Sequence, residues 1–174
     1  ITHPSLFDNT TTGDNGVLGA LLGGNIGSPE GLHDFYYATS SIFDLSGTSG
    51  IELSFYRWLN SDYDPYMTSQ VEVYDGALWQ TIYTNGGIGG AGYVDDNSWN
   101  LQVFDVSSFA DNNSEFQVRF SYDVTSGGVY TISGWNIDDF QITDRTTTVP
   151  EPASLALLGL GLAGFGFSRK KKKA

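Results

Sequence analysis

The stretch IELSFYRWL, residues 51–59, decides the fold class. Ile51, Leu53 and Phe55 alternate with Glu52, Ser54 and Tyr56, and the apolar set resumes at Leu59. A period of two places successive side chains on opposite faces of a pleated ribbon, so this run is a half-buried β-strand. Phe116, Val118, Phe120 and Tyr122, alternating with Gln117, Arg119, Ser121 and Asp123, repeat the pattern. Working outward, Asp75-Gly76 separates QVEVY from ALWQTIY. An Asp-Gly pair supplies the positive φ values of a type I′ turn, which predicts a hairpin over 70–83. Further strands are expected over 99–106, 129–133 and 135–142. No long stretch before the C-terminal tail carries a 3.6-residue apolar period, so helix outside the tail is expected to be close to absent. The body, residues 1–143, therefore reads as one all-β domain, a two-sheet antiparallel β-sandwich with a sizeable core.

Two glycine-rich stretches, GALLGGNIG (19–27) and GGIGGAG (86–92), are expected as loops. The second satisfies a G-x-G-x-x-G pattern formally. YVDDNSW follows it in place of the helix that would receive a phosphate, so no nucleotide site is assigned.

Charge divides the chain. The tail carries Arg169, Lys170 to Lys173 and Glu151, a balance of +4, so the −12 of the whole chain leaves −16 on residues 1–148, whose only basic residues are three arginines. Such a body repels nucleic acid and anionic membranes. The chain has no cysteine, which excludes disulfides, thiolate metal sites and cysteine nucleophiles. It opens at Ile1 without the basic and apolar regions of a signal peptide, which is expected of a processed form or, preferentially, of a fragment of a longer precursor.

The last residues, VPEPASLALLGLGLAGFGFSRKKKKA (149–174), place a Pro-Glu-Pro triplet, a short apolar run and a basic cluster in strict order. The uncharged stretch from Ala153 to Ser168 would reach about 24 Å as a single hydrophobic helix, short of a hydrocarbon core of roughly 30 Å. A transient membrane stop fits this length better than a permanent anchor. The basic cluster stays cytoplasmic under the positive-inside rule, leaving the body outside the inner membrane. The segment resembles the PEP-CTERM sorting signals of Gram-negative bacteria, carried here by Pro150, Glu151, Pro152 and Arg169. The resemblance implies transient recognition by an exosortase, with inner-membrane insertion before processing. It also implies export to the cell envelope, the cell surface or the medium, in the company of exopolysaccharide and biofilm matrix. Residues 144–149 are then a linker and 150–174 the signal.

In the last expected strand, GWNIDDF, strict alternation would put Trp135 and Ile137 on one face and Phe140 and Ile142 on the other. One-sided burial of all four requires an extra residue, which a β-bulge at Asp138-Asp139 supplies. Together with FDLSGTSGIELSFYRWLN (43–60) and NSWNLQVFDVSSFADNNSEFQVRFSY (97–122), GWNIDDFQI (134–142) resembles the MAM-like and cleaved-adhesin-like jelly rolls of secreted bacterial proteins. That resemblance implies an accessory or adhesive module without a catalytic centre, and a structural Ca²⁺ held near Asp138, with Asp139 second. Calcium takes about six to eight oxygens, so Asp8 or Asp14 would have to join if the N-terminal segment returns beside the last strand. Solvated strand-end acids fit the same pair of residues equally well.

His3 and His33 are the only histidines; no HExxH, closely spaced His pair or GxSxG is present. Glu52 and Glu72 alternate with apolar strand residues and read as solvent-facing, which argues against a paired-carboxylate glycosidase. Tyr56 and Trp58 also alternate outward, beside a segment carrying Asp62, Tyr63, Asp64 and Tyr66. Aromatic faces with polar neighbours suit sugar rings or protein surfaces, and an outer face covered by a long loop accounts for them too. Two function classes follow. One is a non-enzymatic, surface-sorted binding module for polysaccharide or a surface protein. The other is the C-terminal accessory domain of a longer secreted peptidase or glycoside hydrolase, which the coding sequence upstream of Ile1 would reveal.

Overall fold

The structure is a computed structural model that describes residues 8–10, 16–20, 32–64, 66–85, 92–127 and 134–145. Nine strands and a single helical turn occur among them. In order they are β1 (Leu18–Gly19), β2 (His33–Thr39), β3 (Ile51–Ser61), β4 (Met67–Tyr74), β5 (Trp79–Thr84), β6 (Val94–Asp95), β7 (Asn100–Asp105), α1 (Ser107–Ala110), β8 (Gln117–Val124) and β9 (Gly134–Asp144). One sheet runs β1-β9-β3, with β6 and β7 both paired to the free side of β3; the other runs β2-β8-β4-β5. All pairings are antiparallel.

The two cleanest alternating runs are interior strands, β3 in one sheet and β8 in the other. Their inward residues lead the core: Ile51, Leu53, Phe55 and Leu59 of β3 meet Val118 and Phe120 of β8, joined by Val71 and Val73 from β4 and Trp135 and Ile137 from β9. Phe55 meets Phe120 edge-on at 5.1 Å, and Trp135 meets the same ring at 5.9 Å. Burying each such side chain contributes roughly 1.5–3 kcal/mol, and the edge-to-face geometry adds specificity.

The expected bulge is present. Ser54 pairs with Gln141 and Tyr56 with Asp138, so β9 carries one residue more than β3 across that interval. Asp139 adopts φ 48°, and Phe140 and Ile142 join Trp135 and Ile137 against the core.

Other expectations are corrected. The 70–83 hairpin exists, but Tyr74 pairs with Trp79 and leaves a four-residue connection, in which Gly76 has φ 96° and Asp75 does not enter the positive region. Asp75 instead uses its carboxylate as a backbone surrogate. Its Oδ1 accepts the N–H of Ala77 and of Leu78, both at 2.8 Å, and Oδ2 accepts from Gln80 Nε2 at 2.8 Å. The Leu78 N–H, then the Gln80 amide and the Ala77 N–H, hold this carboxyl below its ordinary range. β2 arises where no strand was expected, and Gly19 of the first glycine-rich stretch belongs to β1. In keeping with the near-absence of helix expected outside the tail, the only helix among the described residues is the single turn α1, which carries the chain from β7 to β8 with Val106 and Ala110 buried. β9 runs to Asp144, into the expected linker. The 129–133 strand, Asp14 and the whole sorting segment with its hydrophobic helix lie outside the described residues.

At one end of the sandwich a polar knot replaces apolar packing. Asn85 donates from Nδ2 to Ser61 Oγ, Asp62 O and Met67 O at 3.2, 3.1 and 2.9 Å, and its Oδ1 accepts the Ser69 N–H at 3.2 Å. One side chain thus joins the end of β5 to the β3–β4 connection, satisfying groups that burial would otherwise leave costly.

Candidate binding faces

Each sheet presents an outer face, and the two differ. On the sheet built around β3, Tyr56 and Trp58 point outward as the alternation requires, and both are half-buried. Trp58 meets Trp99 edge-on at 5.8 Å. On the neighbouring strand Leu101 stands opposite Tyr56 and Val103 opposite Ser54, both exposed. These two residues widen the aromatic pair into an apolar stripe. The sequence placed them on a strand but gave no means of seeing which residues of β3 they would face. Farther along, Arg145 ties this face together, donating to Glu52 Oε2 from Nη2 at 2.5 Å and to Asp105 Oδ2 from Nη1 at 3.2 Å.

The outer face of the β2-β8-β4-β5 sheet holds a cluster that the sequence reading missed. Arg119 donates from Nε and Nη2 to the two carboxylate oxygens of Glu72 at 2.7 and 2.9 Å, a bidentate pair. Its guanidinium carbon lies 4.3 Å from the Tyr37 ring centroid and 4.1 Å from that of Trp79. Tyr74 continues the row, 5.4 Å from Trp79. Glu72 does face outward, yet Arg119 and its neighbours cover it to 7 % exposure, so the solvent-facing expectation is corrected. The available signal was the outward register of Tyr74 and Arg119 within their own strands. The juxtaposition itself depends on pairing between strands far apart in sequence.

Asp138 and Asp139 sit at the bulge, and the N-terminal segment does return to them. Asp138 Oδ2 accepts the Asn9 N–H at 2.5 Å, Asp139 Oδ2 accepts from Asn9 Nδ2 at 3.0 Å, and Asp138 Oδ1 accepts the N–H of Asp139 at 2.8 Å. A cleft of about 320 Å³ opens beside them, walled largely by apolar groups of Leu18, Val118, Phe120, Ile137 and Phe140. Among the described residues no three His, Asp or Glu side chains converge as a metal-binding group, so these residues alone do not make up a calcium shell. What the geometry performs is attachment of the N-terminal segment to β9. Asp138→Ala is expected to cost about 1.5–3 kcal/mol in EDTA, the range for hydrogen bonds to a charged group, read from urea unfolding. A calcium site requires in addition a Ca²⁺-dependent rise in wild-type Tm that the variant lacks.

The described residues thus define an all-β domain of two antiparallel sheets with aromatic outer faces. Beyond it, residues 148–170 match the PEP-CTERM protein-sorting motif. No curated protein matches the chain. The motif implies exosortase-dependent export and sorting to the cell envelope or surface, with exosortase as the processing partner.

Proposed function

We propose that this chain is a non-enzymatic binding module of the cell surface, a MAM-like jelly roll over residues 1–143 that acts in the exopolysaccharide or biofilm matrix. The sorting motif at 148–170 carries the reading, because it sets the compartment in which the sandwich meets its ligand. Support for the sandwich underlying this assignment comes from the strand order: β1, β9, β3, β6 and β7 in one antiparallel sheet and β2, β8, β4 and β5 in the other, with the two sheets sharing one core. Support for binding comes from the rings on both outer faces, which combine apolar area with hydrogen-bonding tips. A structural Ca²⁺ at Asp138 and Asp139 belongs to the proposal if the calcium-dependent rise in Tm is found.

The test is biochemical fractionation of the producing cells with and without exosortase. The expected result is a processed form that copurifies with extracellular polysaccharide and is lost from that fraction in exosortase-deficient cells. Processed protein found free in the medium and unable to sediment with the polysaccharide would sink the matrix role. A catalytic domain encoded upstream of Ile1 would replace this reading with that of an accessory domain.

A further inference from the structure

The Tyr37–Arg119–Trp79–Tyr74 row has a composition that points to one kind of ligand. Tyr37 is 50 % exposed at the β2 side of the sheet, and Trp79 and Tyr74 are partly buried at the β5 side. Between them the guanidinium is held flat by its bidentate bond to Glu72 and by a ring on each flank. Two of its five N–H donors go to Glu72, and the other three have no partner among the described residues. Around the row the outward register positions are occupied by Thr39, Gln70, Thr81 and Gln117, hydroxyl and amide side chains without charge.

This patch is electrically silent in a body that carries −16. Its one cation and one anion cancel within the pair, leaving rings, amides and hydroxyls. A polyanion approaching it would be repelled by the surrounding carboxylates and would gain no net positive charge in return. A polycation would find better sites among the many other acids. Alternating apolar faces and outward hydroxyls are what this surface complements, the apolar side lying on the rings and the hydroxyls meeting guanidinium and amide donors and acceptors. We propose that the outer face of the β2-β8-β4-β5 sheet is a binding platform for an uncharged polysaccharide chain, laid across Tyr37, Arg119, Trp79 and Tyr74. The proposal rests on the binding-module reading and assigns its ligand class and face. The rings are held in place by contacts with Arg119 and with each other before any ligand arrives, an arrangement that lowers the ordering cost of capture.

Affinity electrophoresis of the full chain in detergent tests it, through gels containing galactomannan, laminarin or hydroxyethyl cellulose, with alginate as the anionic comparison. Retardation by at least one neutral polymer and none by alginate is expected. Trp79→Ala and Tyr37→Ala should each weaken that retardation by at least about tenfold, as loss of a central aromatic anchor does. Ile42→Ala, at an exposed apolar residue belonging to neither outer-face cluster, should leave it unchanged. Tyr37 is exposed at a sheet edge, so its variant keeps the test decisive should Trp79→Ala fail to fold. Retardation abolished by Trp58→Ala alone would overturn the platform while leaving a binding module. Preference for alginate, no retardation by any polymer, or full retardation of folded Tyr37→Ala would overturn it outright. The fractionation experiment reads the sorting claim independently of all these outcomes.

Discussion

Asp96→Ala is expected to destabilise the sandwich by about 3–5 kcal/mol, the range for removing one partner of a buried ion pair. Arg57 lies on β3 at an inward register position, between Phe55 and Leu59, where a charge is tolerated only if it is paired. Asp96 supplies the partner twice over: Oδ2 accepts Arg57 Nε at 2.9 Å and Oδ1 accepts Nη2 at 3.0 Å. The same Oδ2 accepts the Leu59 N–H at 2.9 Å, and Arg57 Nη1 donates to the Tyr83 hydroxyl at 2.9 Å. Burial raises the Tyr83 pKa above its ordinary value, so the phenol keeps its proton and serves as a neutral acceptor. Side-chain exposures of 13 % for Arg57 and 9 % for Asp96 mean that water cannot replace the lost carboxylate. Truncation therefore leaves the Arg57 Nε and Nη2 donors and a backbone N–H unsatisfied at the junction of the two sheets. Asp96→Asn should lose less, since its amide oxygen still accepts one of these donors, and Tyr83→Phe should cost only about 1 kcal/mol. Urea unfolding at fixed pH measures all three. A loss for Asp96→Ala within the 0–1 kcal/mol typical of exposed pairs would show that the site is wetter than its geometry implies.

The same accounting explains why a body this acidic folds. Residues 1–148 contain three arginines, and each is spent on an ion pair between strands or at their ends: Arg57 with Asp96, Arg119 with Glu72, Arg145 with Glu52 and Asp105. The first two are shielded and hold geometry. Arg145 is solvent-exposed, and its pair is correspondingly weak. None of these partnerships was legible in the sequence, because each joins positions whose proximity depends on strand register. Alternation was legible where burial is one-sided and complete, which is why β3 and β8, interior strands both, stood out. It failed for β2, an edge strand with a register irregularity between His33 and Tyr36 and aromatic residues on both faces. The Asp138-Asp139 bulge was legible for a sharper reason: four large apolar residues demanded one face, and only an inserted residue reconciles that demand with a period of two. Tyr56 and Trp58 were placed correctly by the same periodicity. The ring row around Arg119 was missed because β2, which contributes Tyr37, was not recognised as a strand at all.

Replacing Leu160 by arginine is expected to abolish the membrane stop of the sorting segment. The apolar run from Ala153 to Ser168 is short, and a charged residue at the centre of such a run costs about 2.5–3.5 kcal/mol on insertion scales. At about 1.4 kcal/mol per tenfold, that is on the order of a hundredfold in the insertion equilibrium, more than a marginal run can absorb. Exchanging Pro150, Glu151 and Pro152 for alanine instead leaves hydropathy and the basic cluster intact and removes the recognition triplet. The two variants should therefore separate. Leu160→Arg is expected to yield uncleaved protein in a soluble extracytoplasmic extract, never held at the membrane long enough to be processed. The triple-alanine form is expected to accumulate uncleaved in the inner membrane, its body accessible to protease from outside and its basic end protected. If the triple-alanine form were still processed and delivered to the surface at the wild-type level, the triplet would not be what the exosortase reads. If Leu160→Arg were processed normally, the apolar run would serve recognition and not insertion. We propose that the order of the three pieces divides the labour: the basic end fixes orientation, the apolar run halts the chain, and the triplet is thereby presented to the exosortase just outside the bilayer.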